Sequence, residues 1–434
     1  MPAAVRSVMT ALGVQADSRV EGHVAPGFEP VTAALRAQIA GRPGGAAVCV
    51  YHRGTCVVDL WGGFRDARGT PWSADTMAPS FSTTKGAAAT LLHILVDRGL
   101  LDYDDTVARH WPEFAQAGKA AITVRQVLSH QSGLYHIRQM IDRAERMLDW
   151  EYMIRAIERT PPIHVPGTHT GYHGLTFGYL VGEIAQRVTG TRFPDLVQEL
   201  IARPLGLDGM FIGAPDAVHA RAAELLYAKP RRPGVERSLG ALGSVPAERS
   251  VGQEVTRQLR RGGIAAVERV LGFAGFQLDT ASILDALAPR GIGSFEFGAP
   301  ETLRVAIPAA NGLFTARSLA RMYAALAEGG ELDGVRLLSR ATLARATEVQ
   351  TRPAGRVVIP FDMRWRLGYH GVFTTRGVPR NAFGHFGFGG SGAWADPRRR
   401  LAMAFIVNSG IGTPFGDLRI ARIGAAALAS VGRR

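Results

Sequence analysis

Apolar and polar positions follow a strand-like pattern near the two ends of this chain and a helical spacing between them. Two β-rich runs, AAVCVYH and TCVVDLW, flank Arg53–Gly54 and predict a hairpin over Ala46–Trp61. A two-residue turn there pairs residue 49 with 58 and 51 with 56. Strand text returns near the C-terminus, where FGHFGFGGSGAWA and LAMAFIVN are separated by Asp396–Pro397 and a run of arginines. DMRWRLGYHGV, just before them, is a weaker strand candidate. The last segment, FGDLRIARIGAAALASV, is helical by the spacing of Leu418, Ile420, Ile423, Ala426 and Ala427.

Between these ends the chain reads as mostly helical. AAATLLHILVDRG stops at a glycine, as a helix C-terminus does, and TVRQVLSH is similar. LTFGYLVGEIAQRVTG puts Phe177, Leu180, Val181, Ile184 and Val188 on one face before Gly190. TARSLARMYAALAEGG is a helix with Thr315 as its N-cap. Residues 229–300 are rich in Pro, Gly and Arg, carry weaker periodicity and read as a variable insertion. No internal repeat is visible. The pattern predicts an α+β fold: one antiparallel sheet from N- and C-terminal strands, flanked by helices, with a mostly helical domain inserted. The expected division is residues 1–105 and 301–434 for the α/β domain and 106–300 for the helical domain.

Composition leaves that picture unchanged. The 434 residues are 46% hydrophobic and 20% charged, ordinary values for a globular enzyme-sized chain. The formal charge of +13 raises the question of nucleic acid, but the arginines lie in short groups such as Arg231–Arg232 and Arg398–Arg400 without interleaved aromatics. A solvated, arginine-biased surface is the expectation, with no nucleic-acid partner. Cys49 and Cys56 read as reduced thiols rather than a disulfide framework. The N-terminus lacks a convincing signal peptide and no apolar run is long enough to span a bilayer, so a cytoplasmic protein without a membrane span is expected.

Lysine usage changes the picture. Lys85, Lys119 and Lys229 are the only lysines, against 47 arginines. Lys85 stands three places after Ser82 at the head of an apolar stretch, in PSFSTTKGAAATLLHILV. Residues three apart on a helix share a face, about 5–6 Å between Cβ atoms. At a helix start, free N–H groups and the positive dipole end would stabilise negative charge developing on a substrate oxygen. An amine shielded by the apolar helix loses solvation and its pKa falls, which makes it a general base for the serine hydroxyl. Arginine, with a pKa above about 12, cannot fill that role.

Two further stretches join this pair. HVPGTHTGYHG places Tyr172 in a loop before a helix, and NAFGHFGFGGSGAWADP places His385 and several glycines in a strand region. Here the sequence resembles the serine β-lactamase and penicillin-binding-protein superfamily, and more closely its esterase branch, the family VIII carboxylesterases related to class C β-lactamases. SFSTTKG matches the S-x-x-K motif, GYHG the Y-x-N motif and HFG the K-T-G motif, in the family's order; LSHQSGL, VPGT and NGLFTARSLARMYAAL also look like family text. The resemblance runs over residues 30–425. It implies a β-lactamase-like fold, Ser82 as the acylated nucleophile, Lys85 as its partner, and Tyr172 as a proton relay with a phenol pKa lowered by nearby cations. It also implies an oxyanion hole from the N–H groups of Ser82 and Phe388, and a substrate site lined by His385, Phe386 and Gly387. His173, next to Tyr172, is expected to line the site as well.

The departures bear on substrate. His385 and Gly174 stand where the resemblance places a lysine and an asparagine that hold a lactam's carboxylate and amide. A neutral ester needs neither, so hydrolysis of short-chain carboxylic esters, with at most weak lactam cleavage, is the expectation. A β-lactamase, D-aminopeptidase or acyltransferase of the same fold is the alternative, and a non-catalytic scaffold is the alternative of another class. GGSGA at 389–393 misses the G-x-S-x-G elbow because of Ala393, so Ser391 is not read as a nucleophile. His164, His169 and His173 lack a frame that would hold a metal, and His130 reads as part of a structural turn. No metal or cofactor is expected, and the oligomeric state is left open.

Overall fold

The computed structural model describes residues 19–227, 279–350, 355–359, 362–410 and 417–432. Most of the 229–300 stretch and the N-terminal segment therefore lie outside the described residues. Strands β1 (Val20–Val24), β2 (Gly45–His52) and β3 (Thr55–Gly63) precede the helical region. Strands β4 (His370–Gly371), β5 (Phe383–Phe386), β6 (Gly392–Asp396) and β7 (Leu401–Val407) follow it. Together they form one seven-stranded sheet in the order β1-β3-β2-β7-β6-β5-β4, antiparallel throughout. The two ends of the chain meet where β7 pairs with β2, Phe405 opposite Val48.

Helices α1 (Glu29–Ile39), α2 (Thr84–Asp97), α3 (Thr176–Thr189), α4 (Thr280–Leu287), α5 (Ala316–Ala327) and α6 (Arg419–Ser430) set the layers. Ala46, Val48 and Val50 of β2 and Met403 and Phe405 of β7 face a core shared with α1 and α6. Ala47, Cys49, Ala402 and Ala404 face the other core, which α2 and α5 fill. Both faces are covered, so β7 is apolar at every position, and β2 up to Tyr51, rather than alternating. The small residues lie on the face against which α5 packs, and they let that helix approach closely.

The hairpin forms about Arg53–Gly54, with residues 51 and 56 paired as expected. A bulge between Val50 and Tyr51 then shifts the register, so Cys49 faces Asp59 rather than residue 58. The thiols lie 3.7 Å apart as free cysteines. FGHFGFGGSGAWA is not one strand but β5 and β6 joined by a glycine turn, and only two residues of DMRWRLGYHGV are strand. β1 was not anticipated, because its VEGHV exposes Glu21, Gly22 and His23 at the sheet edge. Thr315 caps α5 by accepting from the Ser318 N–H, and Gly190 ends α3 in the left-handed conformation. Leu418 lies just before α6 and is exposed, outside the apolar face expected for it.

Candidate active site

The serine sits where three elements converge. Ala78–Pro79 pairs with Leu313–Phe314, and the Ser80 N–H donates to the Gly312 carbonyl, so the chain enters the site on a fixed backbone. Phe81 then takes a positive φ of 45°, unusual for a bulky side chain, and a short 3-10 turn (Phe81–Thr83) delivers Ser82 to the start of α2. Strain of this kind persists only where packing enforces it. Here the Phe81 ring is held edge-on by Phe297 and Phe388, with centroids 5.2 and 5.5 Å away. Every residue of α2 from Thr84 to Val96 is buried: GAAATLLHILV is apolar but for Thr90 and His93, whose side chains are hydrogen-bonded to Tyr369 and Tyr103.

Lys85 is fully buried on the first turn of that helix. Its Nζ lies 3.0 Å from Ser82 Oγ and donates to the carbonyl oxygens of Gly174, at 2.6 Å, and Ala309, at 2.9 Å. In its neutral form such an amine has two N–H bonds, as many as there are carbonyls, and one lone pair left for the serine hydroxyl. Burial pushes the Lys85 pKa well below its usual value, with no acidic side chain opposing the shift. Close backbone approach makes this cage possible. A Cβ at Gly178 would meet the Ala309 nitrogen at 2.3 Å, so only glycine lets α3 lie against the segment that carries the Ala309 carbonyl.

The Tyr172 hydroxyl donates to Ser82 Oγ at 2.8 Å, and Lys85 Nζ lies 5.1 Å over the Tyr172 ring. The side chains of Ser82, Lys85 and Tyr172 thus share one place. The expected lowering of the phenol pKa does not occur: burial raises it. Trp365 stacks on the ring with centroids 5.5 Å apart, and the His130 ring lies 5.0 Å away. Tyr172 therefore rests as a protonated phenol.

His385 comes to the same place, its ring 6.3 Å from that of Tyr172 and roughly parallel to it. Its Nδ1–H donates to the Phe386 carbonyl, Nε2 has no partner among the described residues, and burial beside His370 keeps the imidazole neutral. Gly387 closes on the serine turn, where a Cβ would meet the Ser80 carbonyl oxygen at 2.3 Å. Phe386 differs from expectation. It alternates to the opposite face of β5, packs in the core shared with α6, and gives its N–H to His370 Nε2. His173 also differs: it is fully buried, its Nδ1–H donates to the Gly171 carbonyl, and its Nε2 accepts from the Ser132 hydroxyl and the Leu134 N–H. Both ring nitrogens are engaged, so it braces the loop behind Tyr172 instead of facing a substrate. His130, at a positive φ of 61°, completes that brace by accepting from the His173 N–H.

Ala309 and Trp365 complete the site without having been singled out, and Gly174, noted only for the side chain it lacks, contributes its carbonyl. Two of them act through backbone carbonyls, which leave no mark in a side-chain pattern. Ser391 is buried, exchanging hydrogen bonds with the backbone of Val407, as befits a structural serine. Among the described residues, no group of three or more His, Cys, Asp or Glu could hold a metal ion, and no helix is long and apolar enough to cross a membrane.

The sequence pattern of the family described as Beta-lactamase matches residues 28–428. The chain belongs to the β-lactamase family. Within this family it is 38% identical to the esterase/beta-lactamase LipL of Mycobacterium tuberculosis over 408 residues, 93% of this chain and 86% of that one. A solved penicillin-binding-protein homolog from Caulobacter crescentus superposes with a TM-score of 0.77 at 36% identity, over 95% of this chain and all (100%) of that chain. A solved family VIII carboxylesterase matches with a TM-score of 0.77 at 32% identity and the same coverage, 95% and 100%. The protein is thus a hydrolase of the β-lactamase fold, with the antiparallel sheet and helical layers that the sequence implied.

Proposed function

We propose that this β-lactamase-family protein is a serine carboxylesterase that cleaves short-chain esters through an acyl-serine intermediate. The observation that carries the reading is the position of Ser82 Oγ, 3.0 Å from a buried, carboxylate-free amine and 2.8 Å from the Tyr172 hydroxyl. In the acylation step Ser82 Oγ attacks the ester carbonyl carbon while its proton passes to Lys85 Nζ. The carbonyl oxygen becomes an oxyanion facing the N–H groups of Ser82 and Phe388. Neither N–H donates to an acceptor among the described residues, which supports that role. Each such donor is typically worth about 10²–10³ in rate. As the C–O bond breaks, the alcohol oxygen takes the Tyr172 proton, and Lys85 restores the phenol. Water then repeats the sequence on the acyl-serine and releases the acid.

Esters are favoured over lactams because the polar handles a lactam would use are missing. The His385 imidazole is neutral and cannot replace a cation for a substrate carboxylate. Gly174 offers no amide, and α4 fills the space a side chain there would need: a Cβ would meet Leu287 Cδ2 at 2.3 Å and the Ala286 carbonyl oxygen at 2.7 Å. The name of the solved family VIII carboxylesterase supports the ester reading, while that of the Mycobacterium tuberculosis relative, esterase/beta-lactamase, is compatible with both activities. Comparing kcat/KM for p-nitrophenyl butyrate and nitrocefin tests it. Ester turnover that dominates supports the assignment; lactam turnover of enzyme quality with negligible ester turnover overturns it.

A further inference from the structure

A buried charge pair lies just behind the glycine turn that follows β5, and nothing in the catalytic steps above uses it. Arg419 and Asp417 are 5% and 8% exposed, at the start of α6. Arg419 Nε donates to the Asp417 carboxylate at 2.9 Å, and Nη2 reaches the carbonyl oxygens of Gly389, at 2.5 Å, and Ser409. Asp417 in turn accepts from the Arg419 N–H at 3.0 Å. A buried ion pair of this kind is weak as a source of stability, since desolvation offsets most of the attraction. Its planar fork is well suited to fixing geometry.

What it fixes is the turn Gly387–Ser391. Gly389 and Gly390 have φ of 89° and 102°, in the region glycine enters freely, and the turn's own closing bond, from the Gly390 N–H to the Gly387 carbonyl, is long at 3.3 Å. Two contacts bracket Phe388. On one side the Gly387 N–H donates to the Ser391 carbonyl at 2.8 Å. On the other Arg419 holds the Gly389 carbonyl. The clamp also fits tightly: a Cβ at Gly390 would meet the Asp417 Oδ2 at 2.5 Å, and one at Gly410 would meet the Gly389 Cα at 2.7 Å.

We infer that Arg419 is a positioning residue for the reaction: by anchoring the Gly389 carbonyl, it holds the Phe388 N–H where the oxyanion forms. The inference rests on the acyl-serine reading and on Phe388 as an oxyanion donor. It makes Arg419 a part of transition-state stabilisation that touches no substrate.

Arg419→Lys keeps the charge, but one ammonium nitrogen cannot do what two guanidinium nitrogens do here, Nε on the Asp417 carboxylate and Nη2 on the Gly389 and Ser409 carbonyls. It is compared with Arg419→Ala and the parent by kcat per active site, counted with a fluorophosphonate that labels Ser82, together with KM and the thermal midpoint. Misplacing a donor by about 1 Å can cost about 10²-fold, so kcat per titrated site should fall about 10–100-fold in Arg419→Lys while KM stays within about two-fold. Fluorophosphonate labelling should slow in parallel. If kcat per titrated site stays within about two-fold of the parent in Arg419→Lys while the thermal midpoint falls, the residue is merely structural and the inference is wrong. Should Arg419→Ala fail to fold, Arg419→Lys decides alone. The underlying reading fails separately, through a Ser82→Ala variant that keeps its esterase activity.

Discussion

Replacing Lys85 separates a neutral base from a simple cation. In Lys85→Arg the positive charge stays but cannot be given up, because a guanidinium holds its proton to above about pH 12. The site holds no carboxylate to balance such a charge: the amine meets Ser82 Oγ, two carbonyls and the face of the Tyr172 ring, and burial sets its pKa. If the site needed only a cation near the serine, the Lys85→Arg enzyme would keep part of the rate. If it needs a lone pair, the loss is that of a general base and nucleophile activator, about 10³–10⁴ in kcat/KM, or about 4–5.5 kcal/mol in the barrier. Lys85→Met provides the matching control. It removes the base and leaves the Gly174 and Ala309 carbonyls without their donor, at about 1–3 kcal/mol each, partly offset by no longer burying an amine. A melting curve should therefore show Lys85→Met folded and destabilised by a few kcal/mol. Lys85→Arg should be less stable still, because an obligate charge and a bulkier group enter a packed site. Initial rates on p-nitrophenyl butyrate, normalised to folded protein, give the comparison. A Lys85→Arg enzyme with more than about one tenth of parental kcat/KM would refute the neutral-base reasoning.

Two other outcomes follow from the same geometry. Tyr172→Phe removes the hydroxyl that donates to Ser82 Oγ, so kcat should fall about 10²–10³-fold with little change in KM; an equal rise in KM instead would mark Tyr172 as a binding residue only. Acid should unfold the protein earlier than its carboxylates require. His173 is pushed down to about 3 and His370 to about 4 by burial, and His130 and His385 are pushed well below 6.5 for the same reason. The unfolded chain takes up these protons near pH 6.5 and the folded one does not, so stability is lost as pH falls below about 6.5, by up to about 1.4 kcal/mol per histidine per pH unit. Urea midpoints that stay flat between pH 7 and 5 would contradict the buried, neutral histidines.

The sheet could be read from the sequence because its central strands are continuous apolar runs, and the LAMAFIV run has no other home than a covered sheet. The catalytic pair was legible for a different reason: a lysine at the head of an apolar helix is costly unless its amine has a use. What escaped was set by contacts distant along the chain. The Tyr172 pKa depends on Trp365, 193 positions further on, whose ring strips the phenol of water. The role of His173 depends on Ser132, which takes the nitrogen that a loop histidine would otherwise turn toward a substrate. The β2–β3 register depends on one extra residue accommodated as a bulge, which no local pattern announces. Phe386 was placed in the site by its motif, yet strand alternation sends its side chain to the opposite core while His385 stays.

The central claim is that Lys85 carries no charge at neutral pH, and the scarcity of lysine makes it directly measurable. With ¹³C-labelled lysine the protein gives three Cε signals, for Lys85, Lys119 and Lys229. Lys119 is also shifted, down to about 8 by burial, and a Lys119→Arg variant identifies its signal. The account predicts that the signal missing from Lys85→Met titrates well below 10.5 and already has the chemical shift of a free amine at pH 7. A Lys85 signal that remains that of an ammonium up to pH 10 would contradict it.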